Sequence, residues 1–115
     1  MQPIDSWKAG TEREVSLLRR CKSAIREVAP EADVILFGSR ARGDPHEYSD
    51  YDLIVLVDGP ATMALEDRIH ANVYPIQLDT DAMFTLIVFS RREWDSPRYR
   101  AVPLHENVQR EGVLL

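Results

Sequence analysis

Cysteine is almost missing from this chain. Cys21 is the sole thiol among 115 residues, so no internal disulfide can form, and a reducing compartment is expected. Long apolar runs are missing too. No stretch approaches the roughly 18 apolar residues of a membrane span, and residues 1–20 carry no apolar core of the kind a signal peptide needs. The expectation is a cytoplasmic protein without membrane association. Basic charge is not in excess either: 14 Lys and Arg stand against 19 Asp and Glu, a net charge of −5. No global field draws in a polyanion, so direct nucleic-acid binding is not expected. His46, His70 and His105 show no metal-ligand spacing. Repeats and low-complexity segments do not occur.

What is present is the composition of an ordinary soluble globular protein, 44% hydrophobic and 29% charged. The length suits one domain over residues 1–115, with residues 1–10 as an N-terminal arm whose Trp7 packs on the body. Helical pattern begins at Thr11, which with Glu14 has the spacing of a capping box. Val15, Leu18, Cys21, Ala24, Ile25 and Val28 form one apolar stripe, closed by Pro30. Cys21 on that stripe reads as a small buried apolar residue rather than a reactive thiol.

Val34 to Phe37 and Leu53 to Val57 are short, continuously apolar runs, the pattern of strands covered on both faces. Between them Ser39 to Arg42 has room for one helical turn, with Gly43 as its stop, and residues 44–49 are turn-forming. A helix is expected from about Ala61 to about Leu78, bent near Pro75; the alternative makes Tyr74 to Leu78 a strand. Phe84 to Phe89 is a third strand. Ser90 and Glu93 repeat the capping-box spacing, with Phe89 and Trp94 placed as a hydrophobic staple. Pro97 interrupts that helix, and Pro103 starts a last one ending at Gly112. The class is α/β (α+β), with three to four strands separated by helices.

The chemistry concentrates at two strand mouths. Residues i and i+2 of a strand share a face, so Asp50 and Asp52 lie side by side, about 6–7 Å apart by strand rise. Two like charges that close shift each other's pKa unless a cation intervenes, and such hard oxygen ligands suit Mg²⁺. Taken alone, the pair reads equally as a solvated turn acid and a structural one. Gly38 and Ser39 add a turn at the end of the preceding strand, where glycine allows close approach and a helix start presents N–H groups to an anion.

The stretch Gly38-Ser39, ten further residues, then Asp50-Tyr51-Asp52 resembles the signature of the DNA polymerase beta-type nucleotidyltransferases. The flanks GSRARG and SDYDL are closest to the minimal nucleotidyltransferases found in HEPN/MNT toxin–antitoxin pairs. The match is specific over residues 34–57. It implies the nucleotidyltransferase fold, in which those strands form a small mixed sheet with flanking helices, and transfer of a nucleotidyl group from a nucleoside triphosphate to an acceptor hydroxyl. Gly38 and Ser39 are then implied to hold the β- and γ-phosphates, and Asp50 and Asp52 to bind Mg²⁺ and act catalytically. Arg40 and Arg42 are candidates for phosphate pairing, or for a solvated face.

One part of the pattern is missing. Active members carry a third carboxylate on the next core strand, where this chain has Thr85; were Tyr74 to Leu78 the strand, Gln77 would take that place. Asp79 and Asp81 lie near in sequence as substitutes. Tyr51 is expected to point away from the face of Asp52 and pack, and Tyr48 to stack on a base or lie exposed. The chain has no room for an acceptor-binding helical domain, so the acceptor is expected to be a separate molecule. The resemblance names a HEPN ribonuclease toxin as that partner, and a homo-oligomer is compatible with the sequence. The expectation is an Mg²⁺-dependent adenylyltransferase using ATP; the alternative is a nucleotide-binding or partner-masking module without turnover.

Overall fold

The computed structural model describes residues 1–44 and 50–115. His46 and Tyr48 lie outside the described residues. Five strands form one mixed sheet in the order β1-β5-β2-β3-β4. Here β1 is Gln2–Pro3, β2 Asp33–Phe37, β3 Tyr51–Val57, β4 Phe84–Ser90 and β5 Val113–Leu114. β2 runs antiparallel to both β3 and β5, while β4 lies parallel to β3 and β1 parallel to β5. Among the described residues six α-helices connect them: α1 Glu12–Val28, α2 Ser39–Arg42, α3 Met63–Thr80, α4 Arg91–Trp94, α5 Pro97–Arg100 and α6 Pro103–Glu111. The α/β class expected from the pattern is the one found. The sheet is wider than three to four strands because β1 and β5, two residues each, are too short to show a period.

The antiparallel pairing of β2 with β3 needs no crossover. The parallel step from β3 to β4 needs a crossover, and α3 supplies it. The apolar runs of β2 and β3 are explained by helices on both faces. Leu53, Val55 and Val57 pack with Leu18, Cys21 and Ile25 of α1 and Ile69, Val73 and Ile76 of α3. Ile35, Ile54 and Leu56 pack on the other face with Trp94 and Val108, joined by Phe37 and Phe89. Each fully buried Leu or Ile contributes about 1.5–3 kcal/mol relative to exposure.

The local signals act as their chemistry predicts. Thr11 and Glu14 close a reciprocal capping box on α1. Burial pushes the Cys21 thiol up to about 12, which makes it an inert core residue. Gly43 ends α2 in the left-handed region, φ +75°. Pro75 sits inside α3, so Tyr74 to Leu78 is helix and the strand alternative falls. The Ser90 hydroxyl accepts from the Glu93 N–H at 3.2 Å, and the Phe89 and Trp94 rings lie 5.2 Å apart. Trp7 is buried, its indole N–H donating to the Ala41 carbonyl at 3.0 Å. No described helix is long and apolar enough to cross a membrane.

Candidate active site

The site forms where β2 ends and where β3 and β4 begin. The register places Phe37 opposite Asp52 on one side and Thr85 opposite Asp52 on the other. All three side chains therefore share the sheet face of Ile54 and Ile35. Asp50, just ahead of β3, joins them: its Oδ2 accepts a hydrogen bond from the Thr85 hydroxyl at 3.2 Å.

Gly38 is the hinge of this corner. Its φ is +81°, and a Cβ built there would fall 2.7 Å from Asp52 Oδ2. Glycine is needed both for the backbone conformation and for the space the carboxylate fills. The chain then turns into α2, where Arg42 N–H reaches the Gly38 carbonyl at 3.2 Å and Asp44 N–H reaches that of Ser39 at 3.0 Å. Ser39 opens this turn directly after Gly38.

The acid pair is electrostatically uneasy. Burial, and after it the negative charge of Asp50, holds the Asp52 carboxyl above its ordinary range. Half-buried, with an exposed acid beside it, Asp52 is in a setting that a divalent cation relieves. The donors are hard carboxylate oxygens on one face, next to the Thr85 hydroxyl, and this set fits Mg²⁺. A third acid does not appear. Among the described residues no group of three His, Cys, Asp or Glu could hold a metal, and Thr85 stands at the third place. Asp79 is paired with Arg20 at 2.7 Å, and Asp81 lies at the end of α3, so both belong to the α1/α3 face.

Tyr51, between the acids, points to that opposite face and is 6% exposed. Its hydroxyl donates to Glu14 Oε2 at 3.0 Å, and the Arg40 guanidinium lies over its ring at 4.4 Å and within 3.4 Å of the same carboxylate oxygen. Burial, with acceptance by Glu14, drives the Tyr51 phenol up to about 12. Arg42 pairs with Glu111 at 3.2 Å. The structure thus brings Gly38, Ser39, Asp50 and Asp52 together and holds both arginines on other acids. A cavity of about 590 Å³ lined by Glu14, Arg40, Tyr51 and Met83 opens behind the sheet, while the carboxylates occupy an open corner.

Glu14 is the residue the pattern conceals. The capping box accounts for one of its oxygens, and nothing in the sequence spacing links the other to Arg40 and Tyr51. The Thr85 hydroxyl as a tether for Asp50 is equally invisible before the register of β3 and β4 is known.

A glycine turn thus faces a pair of acids across neighbouring strands. The nucleotidyltransferase domain model matches residues 18–96, and the chain belongs to that family. The fold is similar to that of a protein crystallised as a toxin–antitoxin with AMP-PNP, with TM-score 0.58 and 19% identity over 84% of this chain and 69% of that one. A candidate nucleotidyltransferase of Sulfolobus solfataricus is 30% identical over 75% of this chain and 80% of its own, at TM-score 0.42. No curated protein matches the chain significantly.

Proposed function

We propose that the chain is an Mg²⁺-dependent adenylyltransferase that moves AMP from ATP to a hydroxyl of a separate protein. The observation that carries this reading is the corner itself: Asp52 lies against Gly38, with Asp50 beside it and Ser39 at the head of the next turn. Asp50 and Asp52 are the residues that would hold Mg²⁺. When bound, the ion supplies positive charge for the triphosphate and its pyrophosphate leaving group. Gly38 keeps side-chain bulk out of the corner, and the Ser39 hydroxyl with the first amides of α2 donates to phosphate oxygens. Arg40 and Arg42 follow Ser39 in α2, with their guanidinium groups paired to Glu14 and Glu111. Thr85 holds Asp50 in place through its hydroxyl.

The similar fold crystallised as a toxin–antitoxin with a nucleotide analogue supports a protein acceptor, and the sequence resemblance supports a HEPN ribonuclease toxin in that role. The reading extends to a cytoplasmic protein made of one such domain. Thr85 favours a second reading, because a hydroxyl tethered to Asp50 stands where an acid is expected. On that reading the chain binds Mg²⁺-triphosphate and masks its partner without modifying it.

One experiment separates the two. The protein is incubated with ATP labelled in its α-phosphate, Mg²⁺ and the co-purified partner. Label on the partner that Asp52→Asn abolishes supports transfer. Nucleotide binding without label, with masking indifferent to Asp52→Ala, supports the second reading, and loss of both overturns the nucleotide site.

A further inference from the structure

The two edges of the sheet are built differently. β1 closes one side with two residues, one of them Pro3. β4 closes the other with seven, Phe84–Ser90, which include no charge, proline or glycine. Among the described residues no strand pairs with the outer side of β4. Native sheets ordinarily blunt so long and apolar an edge, or cover it.

The register shows which groups are left open. Tyr51 N–H donates to the Met83 carbonyl at 2.9 Å, and Tyr51 is paired with Phe84. In a parallel ladder this turns the backbone groups of Thr85, Ile87 and Phe89 toward β3, and those of Phe84, Leu86 and Val88 outward. The Phe84 N–H is taken by the Gln77 side chain at 2.9 Å. Leu86 and Val88 each keep an outward donor and acceptor. The Gln77 contact also shows which face of α3 overlooks the edge. Tyr74 and Met63 share that face by helical spacing and are 55% and 76% exposed.

We infer that this edge is the interface with a second copy of the chain, β4 pairing antiparallel with β4 about a two-fold axis through Ile87. The edge is complementary to itself. Leu86 then stands opposite the partner's Val88 and Val88 opposite the partner's Leu86, so the open donors and acceptors of both copies meet in closely bonded pairs. Antiparallel pairing also keeps Arg91 and Arg92 of one copy away from those of the other, which parallel pairing would set side by side. Tyr74 and Met63 then face their counterparts across the extended sheet.

The test uses the full chain. Sedimentation should show a dimer that dissociates on dilution, and hydrogen exchange should show Leu86 and Val88 amides protected in the dimer and exposed in the monomer. Tyr74→Glu, on the surface of α3, should weaken dimerisation at least about tenfold. Leu86→Pro removes an outward N–H and a side chain packed against the core, at some cost in stability, but takes no bond from the ladder to β3 and should abolish the dimer. Should Leu86→Pro fail to fold, Tyr74→Glu and the exchange pattern decide. A monomer at all concentrations, a dimer indifferent to Tyr74→Glu, or an edge covered only by a different protein overturns the inference.

Discussion

On one side of β3 the chain sets Gly38 and Ser39 against Asp52; on the other it sets Thr85 against Asp52 and ties it to Asp50. The first neighbour is fitted to its carboxylate so closely that a single methyl group would collide. The second offers a neutral hydroxyl that satisfies an acid without adding charge. Two acids at the head of one strand and none on the next fit the proposed hold on a metal–triphosphate. They have less to offer an incoming hydroxyl, whose proton needs a base.

The comparison can be broken first at its centre. Asp52→Asn should lower transfer by on the order of 10²–10³-fold, the scale of losing one preorganised electrostatic group, measured by label incorporation. The same variant should melt slightly higher than the parent without divalent cation, because it removes a half-buried charge facing Asp50. A lower melting temperature would show that Asp52 is held by contacts other than those described.

Gly38→Ala attacks the β2 side. The new Cβ meets Asp52 Oδ2 at 2.7 Å from a backbone at φ +81°, so a cost of about 1–3 kcal/mol is expected in denaturant titration. ATP affinity should fall with it. An unchanged midpoint would mean that the carboxylate moves aside freely.

Thr85→Asp sharpens the β4 side. If the missing acid limits turnover, this variant should raise the transfer rate by roughly 10²-fold, the lower end for a positioned base. It should also be less stable than the parent without Mg²⁺, since a third carboxylate joins Asp50 and Asp52. No gain in rate, with metal affinity intact, would place the limit elsewhere.

The smallest effect is in the pH dependence. Asp52 has a folded pKa above its ordinary value, through burial first and Asp50 second. The folded state thus takes up this proton more readily than the unfolded one, so the charged form costs stability above the folded pKa. That cost is relieved as pH falls through it. Mg²⁺ affinity should run the opposite way, falling as the carboxyl protonates, in a window above that of an ordinary aspartate. Titration of metal affinity against pH in parent and Asp50→Asn should show the window move down in the variant.

Much of this was legible from residues alone, for definite reasons. β2, β3 and β4 announce themselves because burial on both faces demands unbroken apolar runs. Thr11, Ser90 and Gly43 announce helix ends because capping and left-handed geometry have few chemical solutions. Asp50 and Asp52 followed from a period of two. β1 and β5 were not legible, since two residues carry no period and their pairing is decided by contacts more than a hundred residues apart in the chain. The helix across Pro75 prevailed because Ile69, Val73 and Ile76 bury a full stripe under it. The second role of Glu14 required knowing that α1 packs over the start of β3.

Trp7 carries a consequence of another kind. Its indole is buried, rests on Gly10 and is anchored by its N–H to the Ala41 carbonyl, within the turn that begins at Ser39. The other tryptophan, Trp94, lies across the sheet against His105. The chain therefore contains its own optical gauge: a change in the hydrogen bonding or tilt of α2 alters the emission of Trp7 and leaves that of Trp94 as an internal reference. Occupancy of the corner can be followed by fluorescence, without a label.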